Sequence, residues 1–145
     1  MPVSLEQSNT DLGHFSSLHE IALTKLYGGQ PLFVTHYPTQ EVAFYHAVKS
    51  GEEDVVLNAD LLAPGYGEII GSGERIIDPQ ALVNKIERFE MQRSDYEWYI
   101  DLKMGQLYPN AGFGMGIERF ITWLLKLDSV DGAIAYPRIK ETYVP

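Results

Sequence analysis

A change in hydrophobic period near Asp78 constrains the fold of this chain more than any other feature of its sequence. Before Asp78, short apolar runs alternate with turn residues, and after it apolar residues recur at helical spacing. Strands joined by tight turns and followed by helices are typical of an α+β domain. The sequence therefore predicts an antiparallel sheet flanked by helices, with one further helix before the sheet at about residues 16–27.

The predicted strands are short apolar runs bounded by proline, glycine and polar turn residues. A polar hairpin turn is expected over residues 49–53, and Pro64-Gly65 forms a second turn signal. The segments predicted to be strands are 32–35, 42–48, 55–60 and 67–71.

Three helices are predicted in the second half of the chain. Asp78 followed by Pro79 is a preferred helix start. Ser94 with Glu97 forms a capping-box pattern and opens a helix that runs to about Met104. The last helix follows a glycine-rich segment, and its apolar stripe consists of Ile117, Phe120, Ile121, Leu124 and Leu125.

Length and composition narrow the classes of function. The 145 residues fit one domain, which we expect to be a compact core over residues 11–145 behind a loose segment over residues 1–10. The formal net charge of −9 opposes strong nucleic-acid binding by this chain alone. The absence of cysteine excludes disulfides and cysteine-ligated zinc. Without a signal-peptide pattern or a long apolar run, we expect a cytoplasmic protein with no membrane contact.

Three glycines at alternate positions precede the last predicted helix. Gly112, Gly114 and Gly116 leave one side of the backbone bare, so that a planar ligand can lie against it. Arg119 then falls in the first turn of the helix, where its guanidinium and the helix dipole together suit a phosphate group. The alternative interpretation is a glycine bulge followed by an ordinary surface arginine.

Two carboxylates lie on consecutive predicted strands. Asp60 and Glu68 flank the Pro64-Gly65 turn, so a hairpin can direct both at one Mg²⁺ ion bound to ATP phosphates. Arg75 follows a Gly-Ser-Gly stretch and can bind a carboxylate or an amide through its planar fork. The alternative is that all three are solvated surface groups.

These two segments resemble one enzyme family. Residues 112–120 are similar to motif 3 of the class II aminoacyl-tRNA synthetases, and residues 136–138 look like the short motif that follows it. Residues 60–75 resemble the pattern shared by asparaginyl- and aspartyl-tRNA synthetases. The likeness extends over about residues 11–138 and is closer to the asparaginyl type.

The resemblance implies ATP and Mg²⁺ as cofactors and asparagine or aspartate as substrate. It extends to further matching segments at residues 19–20 and 32–38. The residues that it implies are Arg119 as the catalytic arginine; Gly112, Gly114, Gly116 and Glu68 at the nucleotide; Asp60 and Glu68 at the metal; and Arg75, Glu20 and Tyr37 at the amino acid.

The function expected from the resemblance is formation of an aminoacyl adenylate by a class II ligase. The family's motifs 1 and 2 are not found in this sequence. We therefore expect self-association, or a partner chain that supplies the remaining half, and no strong tRNA binding by this chain alone. The alternative is a non-catalytic paralogue that binds a nucleotide or amino acid and acts as a regulator or assembly partner.

Overall fold

The computed structural model of the protein describes residues 3–4, 16–105 and 108–138. Short 3-10 turns lie at Thr39–Glu41, Arg93–Tyr96 and Val130–Ala133. None of the helices in the described ranges has the length and apolar character that crossing a bilayer requires. The strands are β1 (Val3–Ser4), β2 (Leu32–Thr35), β3 (Val48–Lys49), β4 (Glu52–Val56), β5 (Ala59–Ala63), β6 (Gly67–Glu74) and β7 (Ala111–Met115), and the helices are α1 (Ser17–Leu26), α2 (Pro79–Arg88), α3 (Glu97–Met104) and α4 (Ile117–Leu125).

Five strands form one sheet in the order β1-β2-β5-β6-β7. All neighbours in it are antiparallel except β1 and β2, which are parallel, and β3 pairs with β4 in a separate hairpin. Helix α1 packs over β5 and β6. The predicted α+β class with an antiparallel sheet is confirmed. The boundary near residue 10 stays a prediction, because residues 5–15 lie outside the described part of the chain.

The hairpin of β5 and β6 turns where the sequence predicts it. Gly65 and Gly67 take φ angles of +81° and +77°, which residues with a side chain rarely adopt. A register shift between Leu61 and Leu62 places a bulge next to the turn. Such bulges redirect the side chains on either side of them. Asp60 lies on β5 and Glu68 lies on β6, the two strands whose pairing contains this bulge.

Two buried clusters support the sheet. The first lies between the sheet and α1 and contains Leu32, Val34, Tyr37, Val56 and Leu62, with Leu23 of α1 packed on it. The second anchors α2 and α3 beside the sheet and consists of Ile76, Leu82, Val83, Ile86 and Ile100. The helix start at Asp78 is confirmed, since its side chain accepts a hydrogen bond from Gln80 N (3.0 Å).

The predicted strand over residues 42–48 is wrong. The segment is a turn, and of its residues only Val48 belongs to a strand. Phe44 packs edge-on against Tyr96 (centroids 4.9 Å apart), while backbone groups of the segment bond to residues around Arg75 through single bridges. Aromatic residues favour strands because they pack well there, and this turn provides the same packing without a ladder.

Two further boundaries differ from the prediction. The predicted strand over 55–60 is divided between β4 and β5, because Asn58 is buried and its Oδ1 accepts a hydrogen bond from Tyr37 N (2.9 Å). The predicted capping box at Ser94 is also wrong. Residues 93–96 form a 3-10 turn, and the Ser94 hydroxyl bonds to Asp95 instead of to the helix.

On the face of the sheet opposite α1, several apolar side chains of the described residues are open to solvent. Cross-strand neighbours in register form one row across four strands, Phe33–Leu61–Ile70–Met115. Phe33 is 45% exposed and Met115 is 38% exposed. The stripe on α4 is exposed as well, at Ile117, Leu124 and Leu125. We call the four-residue row the reverse-face row.

Truncation in the second cluster should destabilise the chain strongly. Leu82 is fully buried, so Leu82→Ala leaves a cavity and should lower the free energy of unfolding by about 2–5 kcal/mol. Leu102→Ala on α3 is the matched control, because this side chain is 59% exposed and should change stability by less than about 0.5 kcal/mol. Urea denaturation followed by circular dichroism measures both, and equal losses would contradict the assigned core.

Candidate functional site

Four glycines form a bare strip on one face of the sheet. In the pairing of β6 with β7, Gly71 lies opposite Gly114 and Gly73 lies opposite Gly112. Because side chains alternate between the two faces of a strand, these pairs share one face. This is the face covered elsewhere by α1, and we call it the glycine face.

Two carboxylates occupy the space beside Gly71. A Cβ built on Gly71 would lie 2.7 Å from Glu68 Oε1 and 3.8 Å from Asp60 Oδ1. Ser72 N donates a hydrogen bond to Asp60 Oδ1 (3.2 Å). The missing side chain at position 71 therefore lets both acids approach the same point above the sheet.

Asp60 carries the clearest electrostatic signature of the site. Burial is the main cause that raises the pKa of Asp60 from 3.8 to about 6, and the charges of Glu68 and Glu20 add to it. Hydrogen bonds from Ser72 N and the Asn58 side chain oppose the rise without cancelling it. The site thus holds more negative charge than its own residues balance.

Glu20 and Tyr37 lie beside these acids. Glu20 reaches over from α1, and its Oε2 accepts a hydrogen bond from Glu68 N (2.9 Å). Tyr37 is buried, and its pKa is raised first by that burial and then by the charges of Asp60, Glu20 and Glu68. Four of the predicted residues are therefore close enough to influence one another.

Arg119 projects from the first turn of α4 toward β6. Its Nη1 donates to the main-chain oxygen of Glu68 (2.9 Å), and its aliphatic stem covers Gly116 at 3.4 Å from the position of a Cβ. Arg119, Glu68 and Glu20 line a small cleft of about 220 Å³. The guanidinium is exposed in this cleft, at the positive end of the helix, where an anion would be favoured.

Arg75 lies at the other end of the glycine face. Its Nη2 would be 2.9 Å from a Cβ on Gly112, so the absence of that atom makes room for the guanidinium. Its Cζ is 4.5 Å from the centre of the Tyr45 ring, and its Nη1 is 3.3 Å from His46 Nε2. A planar cation held in this way can present its remaining N–H groups to a ligand.

Asp60, Glu68 and Arg75 all line one larger cleft. Its volume, about 540 Å³, lies within the usual size range of a small-molecule site. No described atom lies within 4 Å of a Cβ built on Gly114, so the backbone there is open to a ligand. Glu68 lines both this cleft and the smaller one beside Arg119. The residues lining the larger cleft include Tyr45, His46, Asn58, Asp60, Glu68, Gly71, Ser72, Arg75, Phe113 and Gly114.

The donor set at Asp60 and Glu68 suits a hard divalent cation. Both contribute carboxylate oxygens, and the pKa of Asp60 is raised first by burial and then by the charges of Glu68 and Glu20. Among the described residues, no group of three or more His, Asp or Glu side chains is arranged to hold a metal by itself. Mg²⁺ commonly takes one or two carboxylates together with substrate phosphates, which fits two acids beside an open cleft.

The predicted residues are divided between two clefts. Asp60, Glu68 and Arg75 line the larger cleft, and Arg119 lines the smaller one. Of the three predicted glycines, Gly114 is open, whereas Gly112 and Gly116 are covered by arginine side chains.

Several site residues were not predicted from the sequence. His46, Asn58 and Ser72 line the larger cleft, but they enter it through pairing between distant segments. His46 and Asn58 form isolated bridges to Arg75 and Gly73, contacts that have no local sequence signal. The Gly71–Ser72–Gly73 stretch did carry a usable signal, since small residues at alternate positions of a strand mark a bare face.

Together, the fold and the site define a class of protein. An antiparallel sheet whose glycine-rich last strand leads into an arginine-bearing helix matches the structures of class II synthetases over this chain. The family model described as tRNA synthetases class II (D, K and N) matches residues 12–140. The chain belongs to this family.

Within that family, the curated proteins similar to this chain include asparagine--tRNA ligases. The chain is 42% identical over 126 residues to the one from Desulforamulus reducens and 43% identical over 126 residues to one from Thermus thermophilus. These alignments cover 86% of this chain but only 29% and 28% of the relatives. The chain therefore spans less than a third of their length.

Solved structures place the likeness in three dimensions. Asparaginyl-tRNA synthetase from Pyrococcus horikoshii, crystallised with asparaginyl-adenylate, superposes with a TM-score of 0.89 at 35% identity, over 99% of this chain and 36% of that one. The Entamoeba histolytica asparaginyl-tRNA synthetase, also with asparaginyl-adenylate, gives 0.85 at 32% identity, over 94% and 31%. A putative aspartyl-tRNA synthetase from Leishmania major, at 22% identity, shares the fold (TM-score 0.87, over 99% of this chain and 31% of that one).

The charge at Asp60 should cost stability at neutral pH. A carboxyl group whose pKa is raised in the folded state stabilises the fold below its unfolded pKa of 3.8, and this contribution is lost as the pH rises through about 6. Asp60→Asn should therefore gain about 1–3 kcal/mol of unfolding free energy relative to wild type between pH 4 and pH 7.

Urea denaturation across this pH range measures the gain at position 60. Asp54→Asn, at a solvent-exposed position of β4, controls for the loss of one negative charge from the chain. A difference between Asp60→Asn and wild type that stays flat with pH would contradict the assigned environment of Asp60.

Proposed function

We propose that this chain forms the ATP- and amino-acid-binding part of a class II aminoacyl-tRNA synthetase-like ligase. The substrate is asparagine or aspartate, which is activated as its adenylate with ATP and Mg²⁺. The site is completed by a second copy, by a partner chain or by further sequence of the same protein. We propose that the site is completed in one of these ways because the chain covers less than a third of the length of its relatives.

One observation supports this proposal above the others. The Arg119 guanidinium, the Glu68 and Asp60 carboxylates and the open backbone at Gly114 lie around two clefts that share Glu68 as a common wall. A nucleotide site requires three features: an arginine that binds phosphates, acids that bind a divalent cation, and bare backbone against which a flat base can lie. A surface remnant would have no reason to keep them together.

In the proposed reaction, a carboxylate oxygen of the amino acid attacks the α-phosphorus of ATP, and pyrophosphate leaves. Such a reaction depends on positioning and on stabilising charge, so no protein nucleophile is required. Arg119 holds the terminal phosphate and neutralises charge on the departing group. Asp60 and Glu68 would hold Mg²⁺, which draws charge from the phosphate oxygens when it is bound.

The amino-acid end of the site is assigned to the remaining predicted residues. Arg75 meets the substrate side chain, because it lines the larger cleft and its planar guanidinium carries several N–H donors. The negative charge shared by Glu20, Asp60 and Glu68 favours a cationic ammonium group nearby. Tyr37 lies beside these acids, and its ring fills space at the same end of the site.

Pyrophosphate exchange tests the proposal. The chain is assayed with asparagine or aspartate, alone and with candidate partner chains, for transfer of labelled pyrophosphate into ATP. Arg119→Ala should lower the exchange rate by about 10²–10³, as expected for loss of one preorganised charge-stabilising group. Arg93→Ala is the matched control, because this arginine lies exposed in the 3-10 turn before α3 and should leave the rate unchanged.

The same experiment separates the enzyme from a non-catalytic paralogue. ATP binding detected by calorimetry, without exchange under any combination of chains, favours the binding module. Equal exchange by wild type and Arg119→Ala would show that Arg119 has no part in the chemistry. Exchange seen only in the presence of a second chain supports the completed site.

The reverse-face row should drive association of the chain. Exposed apolar residues on one sheet face, and a strand edge that is unpaired within the described ranges, favour binding of another surface. Sedimentation at micromolar concentration should show a self-associating species for wild type, shifted toward monomer by Phe33→Gln. Leu18→Gln on α1 is the control, since Leu18 is 76% exposed but lies away from that face. A purely monomeric wild type would contradict self-association.

A further inference from the structure

His46 lies directly behind Arg75, at the floor of the larger cleft. Its side chain is buried, with 9% of its surface exposed, and its Nε2 would be 2.6 Å from a Cβ on Gly73. This edge of the ring therefore occupies space that a side chain at position 73 would fill. Nothing in the proposed chemistry uses this histidine, yet it contacts the residue assigned to the substrate side chain.

The hydrogen bonds of His46 define one tautomer. Nδ1 lies 3.0 Å from the main-chain oxygen of Ala43, which can only accept, so Nδ1 carries the proton. Burial is the main cause that lowers the pKa of His46, and the charges of Arg75 and Lys85 lower it further against the opposing Ala43 bond. The ring is then neutral at neutral pH, and Nε2 presents a lone pair to Arg75 Nη1 at 3.3 Å.

The backbone around His46 is also held in place. The ammonium of Lys85, a residue of α2 that is only 9% exposed, donates to the main-chain oxygen of His46 (3.0 Å). Ile76 N donates to the main-chain oxygen of Tyr45, and Arg75 N donates to that of Asn110 (3.0 and 2.9 Å). The imidazole and the guanidinium are thus fixed relative to each other by their main chains as well as by their side chains.

Two side chains restrain Arg75, and the backbone of Gly112 makes room for it. His46 accepts from Nη1, the Tyr45 ring covers one face of the guanidinium, and Gly112 leaves room for Nη2. A long arginine side chain loses considerable rotamer freedom when it binds a ligand, and prior restraint reduces that loss. The orientation of the remaining N–H groups is therefore set before substrate arrives.

We propose that His46 is a positioning residue for Arg75: as a neutral imidazole, it orients the guanidinium that meets the side chain of the bound amino acid. This inference rests on the proposed function for the role of Arg75, and it adds a residue that sequence resemblance did not assign. His46 itself has no contact with the reacting atoms in this proposal. Its effect should appear in amino-acid binding and leave ATP binding unchanged.

Two substitutions at position 46 test the proposal. His46→Met keeps the volume and removes the acceptor, whereas His46→Gln can place its amide oxygen where Nε2 lies. His46→Met should weaken asparagine binding by about tenfold or more, typical of losing a hydrogen bond to a charged group. His46→Gln should restore most of that loss. Binding of asparagine and of ATP is followed separately, by NMR titration of the full chain.

The pattern across ligands separates positioning from a general structural role. ATP affinity should stay within about twofold in both variants, and His19→Met, an exposed histidine on α1, should change neither ligand. Parallel loss of asparagine and ATP binding, or equal defects in the Met and Gln variants, would overturn the proposal.

A spectroscopic measurement distinguishes failure of this inference from failure of the proposed function. Imidazole ¹⁵N spectra should show His46 protonated at Nδ1, with an Nε2 signal that shifts in Arg75→Met. If wild type binds neither ligand but this signature is present, the function is wrong and the positioning of Arg75 stands. A proton on Nε2, or an Nε2 signal indifferent to Arg75→Met, rejects the positioning itself.

Discussion

The register between β6 and β7 is the constraint on which the site depends. It pairs Gly71 with Gly114 and Gly73 with Gly112, and so concentrates four missing side chains on one face. Because strand side chains alternate, a slip of β7 by one residue would bring Phe113 to that face and move Gly112 and Gly114 to the other. The guanidinium of Arg75, which lies beside Gly112, would then have no space.

Charge is the second organising feature, and it works against stability. Burial raises the pKa of Asp60 and the charges of Glu68 and Glu20 raise it further, although Ser72 N donates a hydrogen bond to Asp60. Folding would be easier with fewer acids at this point. Strain of this kind is common where a protein is shaped for a ligand that brings the opposite charge, and the two arginines remain at the ends of the clefts where anionic groups would lie.

Local chemistry made much of the fold predictable, and long-range pairing accounts for most of what was not. The Pro64-Gly65 turn and the Asp78-Pro79 helix start depend on residues adjacent in sequence, and both lie where expected. The segment 42–48 was mistaken for a strand, because its aromatic residues pack as well in a turn. The role of His46 depends on its contacts with Arg75 and Gly73, which lie more than 25 residues away in sequence. No local sequence pattern reveals these contacts.

The two faces of the sheet connect assembly with the site. The glycine face carries the clefts, and the reverse-face row lies on the same strands, one residue out of phase. Ile70 and Met115 therefore flank Gly71 and Gly114 along their strands, with side chains on the opposite side. A surface that covers the reverse-face row would restrain the strands that hold the glycine strip in register. If a second chain or further sequence completes the sheet, as we propose for a chain spanning less than a third of its relatives, then covering this row would also order the cleft.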